Sequence, residues 1–485
     1  MALETLVRAQ MEAGLDMGLP RNTIEDILAD QQVTVHNLGS IPVAMDEGTV
    51  RYVEAKRGHS GPEGTLKKGG SRITDSNPWG NLEELPVEMG AKNAQMGLVD
   101  IDGNPVDGGK LVIAANPHSL SHTEKQSLFG GIALSMHRLG IAGYGNSVPA
   151  GDMGTNHPDY MDAFAWTYHQ ANPEDPNWRA SITGTSANEL FQGLEFRTKS
   201  TGYGVYRAIN FAAEKLGDKE VYDLSIGGAG NVGGWAAYFA DKHRETERDG
   251  KTFRIKCFSD QHGTIIVDGL SKDPHAEGIR ITEKMVEEIF DNANFKDDAR
   301  WNNNKIAAIV AAVKENQPDL KFTVTGDPND LLAVPVDIAV PAAVPNVYNA
   351  RTVGYSRARA IVEAGNGTTT AEADIRLRGQ GTLLVPDTAA NALGVFTSMI
   401  AANRQVLNAR DGMPMPDEAE TQHMVRTEAD WQLDRMARMA ELLDTDDNRK
   451  ACSGLSIGNL ALRRGENIDH ELRQIIKREA ALQAV

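Results

Sequence analysis

A chain of 485 residues exceeds what one hydrophobic core usually organises, so its length predicts two domains. Its 49 basic and 67 acidic residues give a net charge of -18 without a long basic run, which argues against nucleic acid and anionic membranes as partners. No stretch approaches the ~18 apolar residues that a membrane span requires, and the first residues lack the uninterrupted apolar core expected of a signal peptide. Two distant cysteines, Cys257 and Cys452, predict neither disulfides nor a metal site and favour a reducing cytoplasm.

The N-terminal part reads as a mixture of helices and strands. Helical spacing and strand-like alternation predict, in chain order, a helix, two strands and two further helices, over residues 2–30, 33–45, 50–59, 119–140 and about 160–170. Ser119 or Ser121 is expected to cap the second of these helices. An α/β start follows from this order.

The pattern changes after Thr201, where a βαβ unit begins. An amphipathic helix, a strand with its glycine turn and helix, and a further strand and turn are predicted over residues 202–217, 221–245 and 253–269. Later apolar strands are predicted over residues 321–325, 336–342, 360–365 and 382–387. A mostly parallel sheet covered by helices is therefore expected.

Two other stretches differ from the rest of the chain in composition and hydrophobic pattern. The segment of residues 270–328 is long and polar and has no regular hydrophobic pattern, so we interpret it as a peripheral elaboration. From Asn391 onward the pattern is helical almost to the end.

A glycine turn follows the apolar strand YDLSI directly. It contains GxGxxG at Gly228, Gly230 and Gly233, with Asn231 and Val232 between the second and third glycines. The first glycine permits the tight turn, the second lets the backbone approach a pyrophosphate, and the third lets helix and strand pack closely. This context favours a dinucleotide site over a glycine turn that binds nothing.

The strand after this turn ends at Ser259 and Asp260. A carboxylate there would accept hydrogen bonds from the adenosine ribose of NAD. The spacing from the glycine turn is longer than the usual ~20 residues, and His262 or Lys256 could instead meet the 2′-phosphate of NADP. Both cofactors therefore stay open, as does the interpretation of Asp260 as a solvated turn residue.

Three lysines stand in glycine-flanked settings: Lys68 in KKGGSR, Lys92 in MGAKNA and Lys110 in DGGKLV. Glycine removes side-chain bulk, so a ligand can lie against the backbone while an ammonium group reaches it. Downstream, VPAGDMGT places Asp152 in a turn of small residues. Taken singly, such lysines are more often solvated surface residues, and such an aspartate is more often a turn former.

Taken together, these segments resemble the glutamate, leucine, phenylalanine and valine dehydrogenase family. In that family a KGG lysine, a second lysine, a GGxK lysine and a PAxDxGT aspartate follow one another in this order. The resemblance covers roughly residues 65–408 and extends to further segments: TGYG at Thr201, VDIAVPAAVPN ending at Asn346, EAGNGTTTAEAD around Asn366 and LVPDTAANALGV around Asn391.

The resemblance implies an α/β fold with two domains. An N-terminal α/β domain for substrate binding and oligomerisation, residues 1–201, is completed by C-terminal helices of residues 399–485 that return to it. A Rossmann-type dinucleotide-binding domain covers residues 202–398. The family also implies a homo-oligomer, commonly a hexamer, with NAD or NADP as cofactor and an amino acid, a 2-oxo acid and ammonium as small-molecule partners.

The implied reaction is oxidative deamination of an L-amino acid, reversible and most like that of glutamate to 2-oxoglutarate. By resemblance, Lys92 holds the α-carboxylate, Lys110 assists the addition of water, and Asp152 exchanges a proton with the amine. A lysine shielded from water and close to other cations should have a lowered pKa, so Lys110 could exchange protons near neutrality. Asn391 is assigned to the substrate, and Thr201 and Asn366 to the cofactor.

The side chain of the substrate should decide specificity. In glutamate-specific relatives the KGG lysine and a later serine hold the second carboxylate, and here these positions are Lys68 and Ser398, with Ala150 and Val395 as apolar lining. Three features depart from the glutamate pattern: LVI after Lys110, an extra loop over residues 97–108, and Leu393 for a glycine.

Alternatives to glutamate remain open. Another aliphatic, polar or acidic L-amino acid is the first, and a non-catalytic ligand-sensing relative is the second. A 2-hydroxy-acid dehydrogenase would usually need a histidine base, and no histidine lies in the substrate motifs.

Overall fold

The structure is a computed structural model that describes residues 2–80, 82–152, 154–246, 251–269, 277–290 and 304–477. It is an α/β protein with a five-stranded and a seven-stranded sheet, followed by a set of C-terminal helices. Within these described ranges, no helix combines the length and the apolar character needed to cross a membrane.

The N-terminal part is built on the five-stranded sheet. Its strands are β1 (Val33–Ala44), β2 (Val50–Ser60), β3 (Leu66–Thr74), β4 (Val106–Ala114) and β5 (Ser147–Gly151). Its helices are α1 (Ala2–Asp16), α2 (Arg21–Ala29), α3 (Leu85–Gln95), α4 (His122–Arg138) and α5 (Pro158–Ala171), with a short 3₁₀ turn at Trp178–Ser181. The spatial order is β1-β2-β4-β3-β5, with β3 parallel to both of its neighbours.

Helices cover both faces of this sheet. Helix α4 starts with a capping box, in which Ser121 accepts a hydrogen bond from the backbone of Glu124 and the Glu124 carboxylate accepts one from the backbone of Ser121. Of the two predicted caps, Ser121 is therefore the one used. Leu111 of β4 packs with Phe129 of α4 on one face, whereas Gly58 of β2 allows α3 to approach the other.

The seven-stranded sheet has the order β12-β11-β10-β6-β7-β8-β9. Its strands are β6 (Val221–Gly227), β7 (Thr252–Asp260), β8 (Gly263–Val267), β9 (Phe322–Thr325), β10 (Ile338–Pro341), β11 (Ala360–Val362) and β12 (Leu383–Val385). The five strands from β12 to β7 run parallel, which confirms the predicted mostly parallel sheet. The residues of β8, predicted as a turn, instead form an antiparallel hairpin with β7.

The helices of this region lie around the sheet. They are α6 (Arg197–Leu216), α7 (Asn231–Thr246), α8 (Glu283–Met285), α9 (Lys305–Asn316), α10 (Asp330–Ala333), α11 (Ala371–Gly379) and α12 (Asp387–Ala390), with a π-helical turn at Val286–Phe290 and a 3₁₀ turn at Val353–Tyr355. Helix α6 runs through Thr201, the position at which the sequence pattern changes.

The description of residues 270–328 as irregular and peripheral is wrong for much of this segment. Helix α9 and strand β9 lie within it, and Ile309 and Val313 of α9 belong to the main core. The apolar spacing of α9 was obscured because polar residues flank it on both sides. Residues 270–276 and 291–303 of the same segment lie outside the described residues.

The C-terminal helices return to the start of the chain, as predicted. They are α13 (Leu393–Asp411), α14 (Glu418–Leu442), α15 (Asn448–Arg463) and α16 (His470–Ile476). Helix α15 packs against α1 and α3, and the side-chain amide of Gln10 donates to the hydroxyl of Ser456 over 3.0 Å. The last helices thus complete the layer that covers the first sheet.

Candidate active site

Two of the predicted lysines lie on one face of the first sheet. Lys68 of β3 pairs with Gly108 of β4, and because side chains alternate along a strand, Lys110 projects from the same face as Lys68. Helix α3, which covers this face, carries Lys92. The structure therefore brings all three lysines to one side of the sheet, with Lys92 on the helix that covers the other two.

Asp152 follows β5 directly and forms an ion pair with Lys110. A side chain at Gly70 would place its Cβ 2.7 Å from the Cβ of Asp152, so the second glycine of KKGG makes room for the carboxylate. Arg72, whose Nε lies 3.5 Å from an Asp152 oxygen, was missed by sequence reasoning although it ends the KKGGSR motif.

The environment of Lys110 makes its ammonium group easier to deprotonate than that of an exposed lysine. Burial lowers the pKa of Lys110, Asp152 acts in the opposite direction, and the charge of Arg72 lowers it further. The predicted direction is confirmed, and shielding from water, one of the two predicted causes of the lowered pKa, is the larger one. A lysine of this kind can give up its proton at a lower pH than an exposed one.

Lys68 is the most completely buried of the three lysines. Its side chain has no exposed surface, and its ammonium group has no hydrogen-bond partner among the described residues. Burial, followed by the charges of Arg197 and Arg57, holds the pKa of Lys68 well below its ordinary value. Such a site is a strong candidate for an anion, since a buried cation without a partner is costly.

A further cation, Arg197, lies beside Ser398. The Nε of Arg197 donates to the Ser398 hydroxyl over 2.8 Å, and that hydroxyl donates to the carbonyl of Gly394 over 2.9 Å. Burial lowers the pKa of Arg197 to about 10. Sequence reasoning missed this residue, although it stands one helical turn before Thr201 and so shares its face of α6.

Lys92 connects the part of the chain built on the five-stranded sheet to the part built on the seven-stranded sheet. Its ammonium group donates to the side-chain oxygen of Asn391 over 2.7 Å and to that of Asn366 over 3.4 Å. The amide of Asn391 in turn donates to the side-chain oxygen of Asn366 over 3.0 Å. The structure therefore joins three of the predicted site residues in one hydrogen-bonded group.

A charged network that the sequence did not reveal supports this group. Arg449 of α15 contacts Glu363 over 2.5 Å and lies 4.0 Å from Asp387. Glu363 also accepts a hydrogen bond from the Thr368 hydroxyl over 2.9 Å, and Asp387 accepts one from the backbone of Gly367 over 2.9 Å. These contacts hold the residues on either side of Asn366 and Asn391.

Ala150 and Val395, the two residues predicted to form the apolar lining, lie close to predicted polar site residues in the chain or across neighbouring strands. Ala150 is buried on β5, paired with Gly70 of β3. Val395 is partly buried on α13, less than one helical turn before Ser398. Leu393, which stands where the family pattern has a glycine, packs against Gly204 and is buried in the core.

The glycine turn has the shape that a dinucleotide requires. A Cβ on Gly228 would lie 2.9 Å from the carbonyl carbon of Ala342, and one on Gly233 would lie 2.1 Å from the oxygen of Gly228. A Cβ on Gly230 would meet nothing within 4 Å, so the second glycine faces open space at the start of α7. These residues fit a bound pyrophosphate.

Further predicted cofactor residues surround this turn. The Asn231 amide donates to the carbonyl of Thr198 over 2.8 Å, and Val232 is partly buried against the core. Thr201 lies beside Gly394, where a Cβ would come within 2.4 Å of its hydroxyl oxygen. The start of α6 is therefore tied both to the glycine turn and to α13.

Asp260 ends β7, and one of its oxygens accepts a hydrogen bond from the backbone of His262 over 2.6 Å. Lys256 is buried, and its ammonium group donates to the carbonyl of Pro335 over 3.0 Å. Of the two residues considered for a 2′-phosphate, only His262 is partly exposed.

The comparisons with known proteins agree with this geometry. Residues 193–411 match the family model described as glutamate/leucine/phenylalanine/valine dehydrogenase, and residues 34–170 match the one described as Glu/Leu/Phe/Val dehydrogenase, dimerisation domain. The fold and the site define an NAD(P)-dependent amino-acid dehydrogenase. The chain belongs to the glutamate/leucine/phenylalanine/valine dehydrogenase family.

Individual relatives show the same relationship. The chain is 31% identical, over 74% of its length and 75% of the relative, to an NADP(+)-dependent glutamate dehydrogenase of Pyrobaculum calidifontis. It is 29% identical, over 74% of its length and 75% of the relative, to an NAD-specific glutamate dehydrogenase of Peptoniphilus asaccharolyticus. Its fold matches the hetero-hexameric glutamate dehydrogenase of Thermus thermophilus with a TM-score of 0.74, 20% identity and coverage of 96% and 97% of the two chains.

Proposed function

We propose that this chain catalyses the reversible, NAD(P)-dependent oxidative deamination of L-glutamate to 2-oxoglutarate and ammonia. The observation that carries the choice of glutamate is the buried ammonium group of Lys68, which has no hydrogen-bond partner among the described residues and lies close enough to Arg197 to feel its charge. A substrate with a second carboxylate would neutralise this pocket, whereas an aliphatic side chain would leave its charges buried and uncompensated.

Binding uses two groups of residues. Lys92 would hold the α-carboxylate in a charge-assisted hydrogen bond, next to Asn391. Lys68 and Ser398 would hold the distal carboxylate, with Arg197 adding positive charge beside Ser398. The apolar residues Ala150 and Val395 would contact the methylene groups between the two carboxylates.

The chemistry follows from the Lys110–Asp152 pair. A nicotinamide cofactor, when bound, would supply the acceptor for the hydride that leaves Cα of the amino acid. Burial lowers the pKa of Lys110, so its neutral form is reached at a lower pH than for an exposed lysine, and in that form it can take a proton from the water that adds to the iminium carbon of the substrate. Asp152 takes a proton from the ammonium group of the substrate before the hydride leaves and returns it to the departing amine. The Lys110–Asp152 ion pair holds the two side chains beside each other before the substrate binds. The residues proposed to hold the cofactor are Thr201, Gly228, Gly230, Asn231, Val232, Gly233, Asp260 and Asn366.

The domain division is also a proposal: residues 1–201 with 399–485 form the substrate and oligomerisation domain, and residues 202–398 form the cofactor domain. We further propose a cytoplasmic homo-oligomer, a hexamer in analogy to the six chains of the Thermus relative. Support comes from the first sheet, where Val35 of the edge strand β1 and Tyr52 of the neighbouring strand β2 are exposed. A solution mass of six chains is the expected result of analytical ultracentrifugation.

The test of the substrate is an activity panel. We would follow reduction of NAD and of NADP with glutamate, leucine, phenylalanine, valine and aspartate, using the wild type and a Lys68→Leu variant. Glutamate should be the best substrate, and its turnover should collapse in the variant. Lys215→Leu on the exposed side of α6 is the matched control for the loss of one lysine charge.

The other results of this panel have clear meanings. Preference for an aliphatic amino acid, with Lys68→Leu as active as the wild type, would retain the dehydrogenase but reject the glutamate pocket. A folded protein without activity on any pair of substrates would favour the non-catalytic, ligand-sensing alternative.

A further inference from the structure

A cluster of possible metal ligands lies where the N-termini of α4 and α5 meet. His122 is the first residue of α4, His157 caps α5, and Asp159 stands in the first turn of α5. One donor atom from each of the three side chains lies within 4.8 Å of the other two. Helices α4 and α5 pack on the sheet face opposite to Lys68 and Lys110, so this cluster is separate from the active site.

The ring of His122 is oriented by its neighbours. Its Nδ1 is hydrogen-bonded to the hydroxyl of Tyr160 over 3.2 Å, and its Nε2 lies 2.9 Å from an oxygen of Asp159. The contact of Nδ1 with Tyr160 is of the kind that fixes the orientation of metal-binding histidines in proteins, and Nε2 is the atom that would bind a metal once Asp159 becomes its fellow ligand. The capping box of Ser121 and Glu124 fixes the backbone that carries His122.

The spacing of the three residues suits a small tetrahedral ion. Bonds of 2.0–2.1 Å to zinc imply donor atoms about 3.3 Å apart. His122 Nε2 lies 2.9 Å from one oxygen of Asp159, and His157 Nδ1 lies 3.8 Å from the other oxygen. One donor atom from each residue lies within 4.8 Å of the other two, so the side chains would move closer together around the ion. Binding requires the ion to displace the backbone amide of Asp159 from His157 Nδ1, a hydrogen bond at the long end of the normal range at 3.2 Å.

We propose that His122, His157 and Asp159 form a binding site for a late first-row divalent cation, Zn²⁺ first among them. Two imidazoles and one carboxylate suit such ions, and a water molecule would complete the tetrahedron because His122 is exposed to solvent. The ion would join the starts of two helices, at His122 and His157, which are 35 positions apart in the sequence. Its role is to stabilise the α4–α5 layer and not to take part in the deamination.

The site is tested by titrating the intact, chelator-treated protein with ZnCl₂ in a calorimeter. One ion should bind per chain, and His122→Ala and Asp159→Asn should each weaken that binding at least tenfold. Zn²⁺ at saturating concentration should raise the Tm of the wild type by about 1–3 °C and leave that of His122→Ala unchanged. Activity with the amino acid should be the same with and without Zn²⁺.

The matched control is His169→Ala, which removes a histidine from the other end of α5, where it stacks on Trp178. This variant should bind Zn²⁺ as the wild type does. His122 makes its contacts near the surface, so its alanine variant should fold, which circular dichroism would verify. Absence of a one-to-one event in the wild type, or equal binding by His122→Ala and wild type, would overturn the proposal.

Discussion

Arg197 and Ser398 form a direct hydrogen bond of 2.8 Å, although they lie 201 positions apart and in different helices. The contact joins the start of α6 to α13, and it places a second cation next to the serine that the family resemblance assigns to the substrate. We therefore expect recognition of the distal carboxylate to depend on this pair, in which the serine orients the arginine.

Removing either partner of this pair should weaken turnover of glutamate. Arg197→Met should lower kcat/KM about 10- to 100-fold, because a hydrogen bond to a charged group contributes about 1.5–3 kcal/mol. Ser398→Ala should cost less. The double variant should resemble Arg197→Met alone, since residues in contact act together. Steady-state kinetics on all four proteins checks this, and strictly additive losses would contradict the pairing.

The pH profile should report on Lys110. Because this residue acts as a base when neutral, kcat/KM should rise with pH across a pKa below the ordinary lysine value of ~10.4. Asp152 raises that pKa, so Asp152→Asn should move the rising limb to lower pH while reducing the rate by ~10²–10⁴. The exposed Asp102→Asn serves as control. A limb that stays in place in Asp152→Asn would count against the pair.

The glycine turn allows binding and folding to be separated. Gly230→Ala should keep the Tm of the wild type, because its Cβ would meet no protein atom within 4 Å, yet raise the KM for the dinucleotide by blocking the pyrophosphate. Gly233→Ala should lower both Tm and activity, because its Cβ would lie 2.1 Å from the oxygen of Gly228. Unchanged cofactor affinity in Gly230→Ala would disagree with the proposed site.

Cofactor choice should favour NAD. Asp260 presents a carboxylate at the end of β7, where it would repel a 2′-phosphate, and Lys256 is held by the carbonyl of Pro335. Asp260→Ala should lower kcat/KM for NAD about 10- to 100-fold and raise that for NADP, because the repulsion of the 2′-phosphate is removed. Measuring both cofactors with one amino acid tests this; equal losses for the two would point to a structural role for Asp260.

The Arg449–Glu363 contact should matter for stability as well as for binding. Arg449→Met leaves Glu363 buried without its cation, at a cost of about 3–5 kcal/mol. Burial raises the pKa of Glu363 and Arg449 opposes that rise, so the variant should lose more stability at high pH, where the carboxylate is charged, than at low pH. Adding Glu363→Gln should restore part of the Tm; no recovery in the double variant would refute this account.

Much of the site could be predicted because its signals are local. The glycines at Gly228 and Gly233 stand between a strand and a helix, and Lys68, Lys92 and Lys110 each stand beside small residues. By contrast, the same-face arrangement of Lys68 and Lys110 depends on the strand order β4-β3-β5, which sequence neighbours do not dictate. Only the resemblance to the family indicated that these lysines act together.

The residues that were missed make long-range contacts. The sequence around Arg197 gives no sign of its role, which is revealed only by its contact with Ser398. In the same way, the role of Arg449 is revealed only by its contact with Glu363. Helix α9 was missed for a different reason, because the polar residues on either side dilute its apolar pattern. Pairing information of this kind is absent from local periodicity.

The contact between Gln10 and Ser456, which lie 446 residues apart, has a consequence for synthesis on the ribosome. At ~5–20 residues per second, about 20 to 90 seconds separate the appearance of these two partners. Throughout that interval the apolar side of α1, with Ala13 at its centre, has no α15 to cover it. The nascent chain therefore exposes a hydrophobic surface until its final helices emerge, which makes it a natural client for a chaperone.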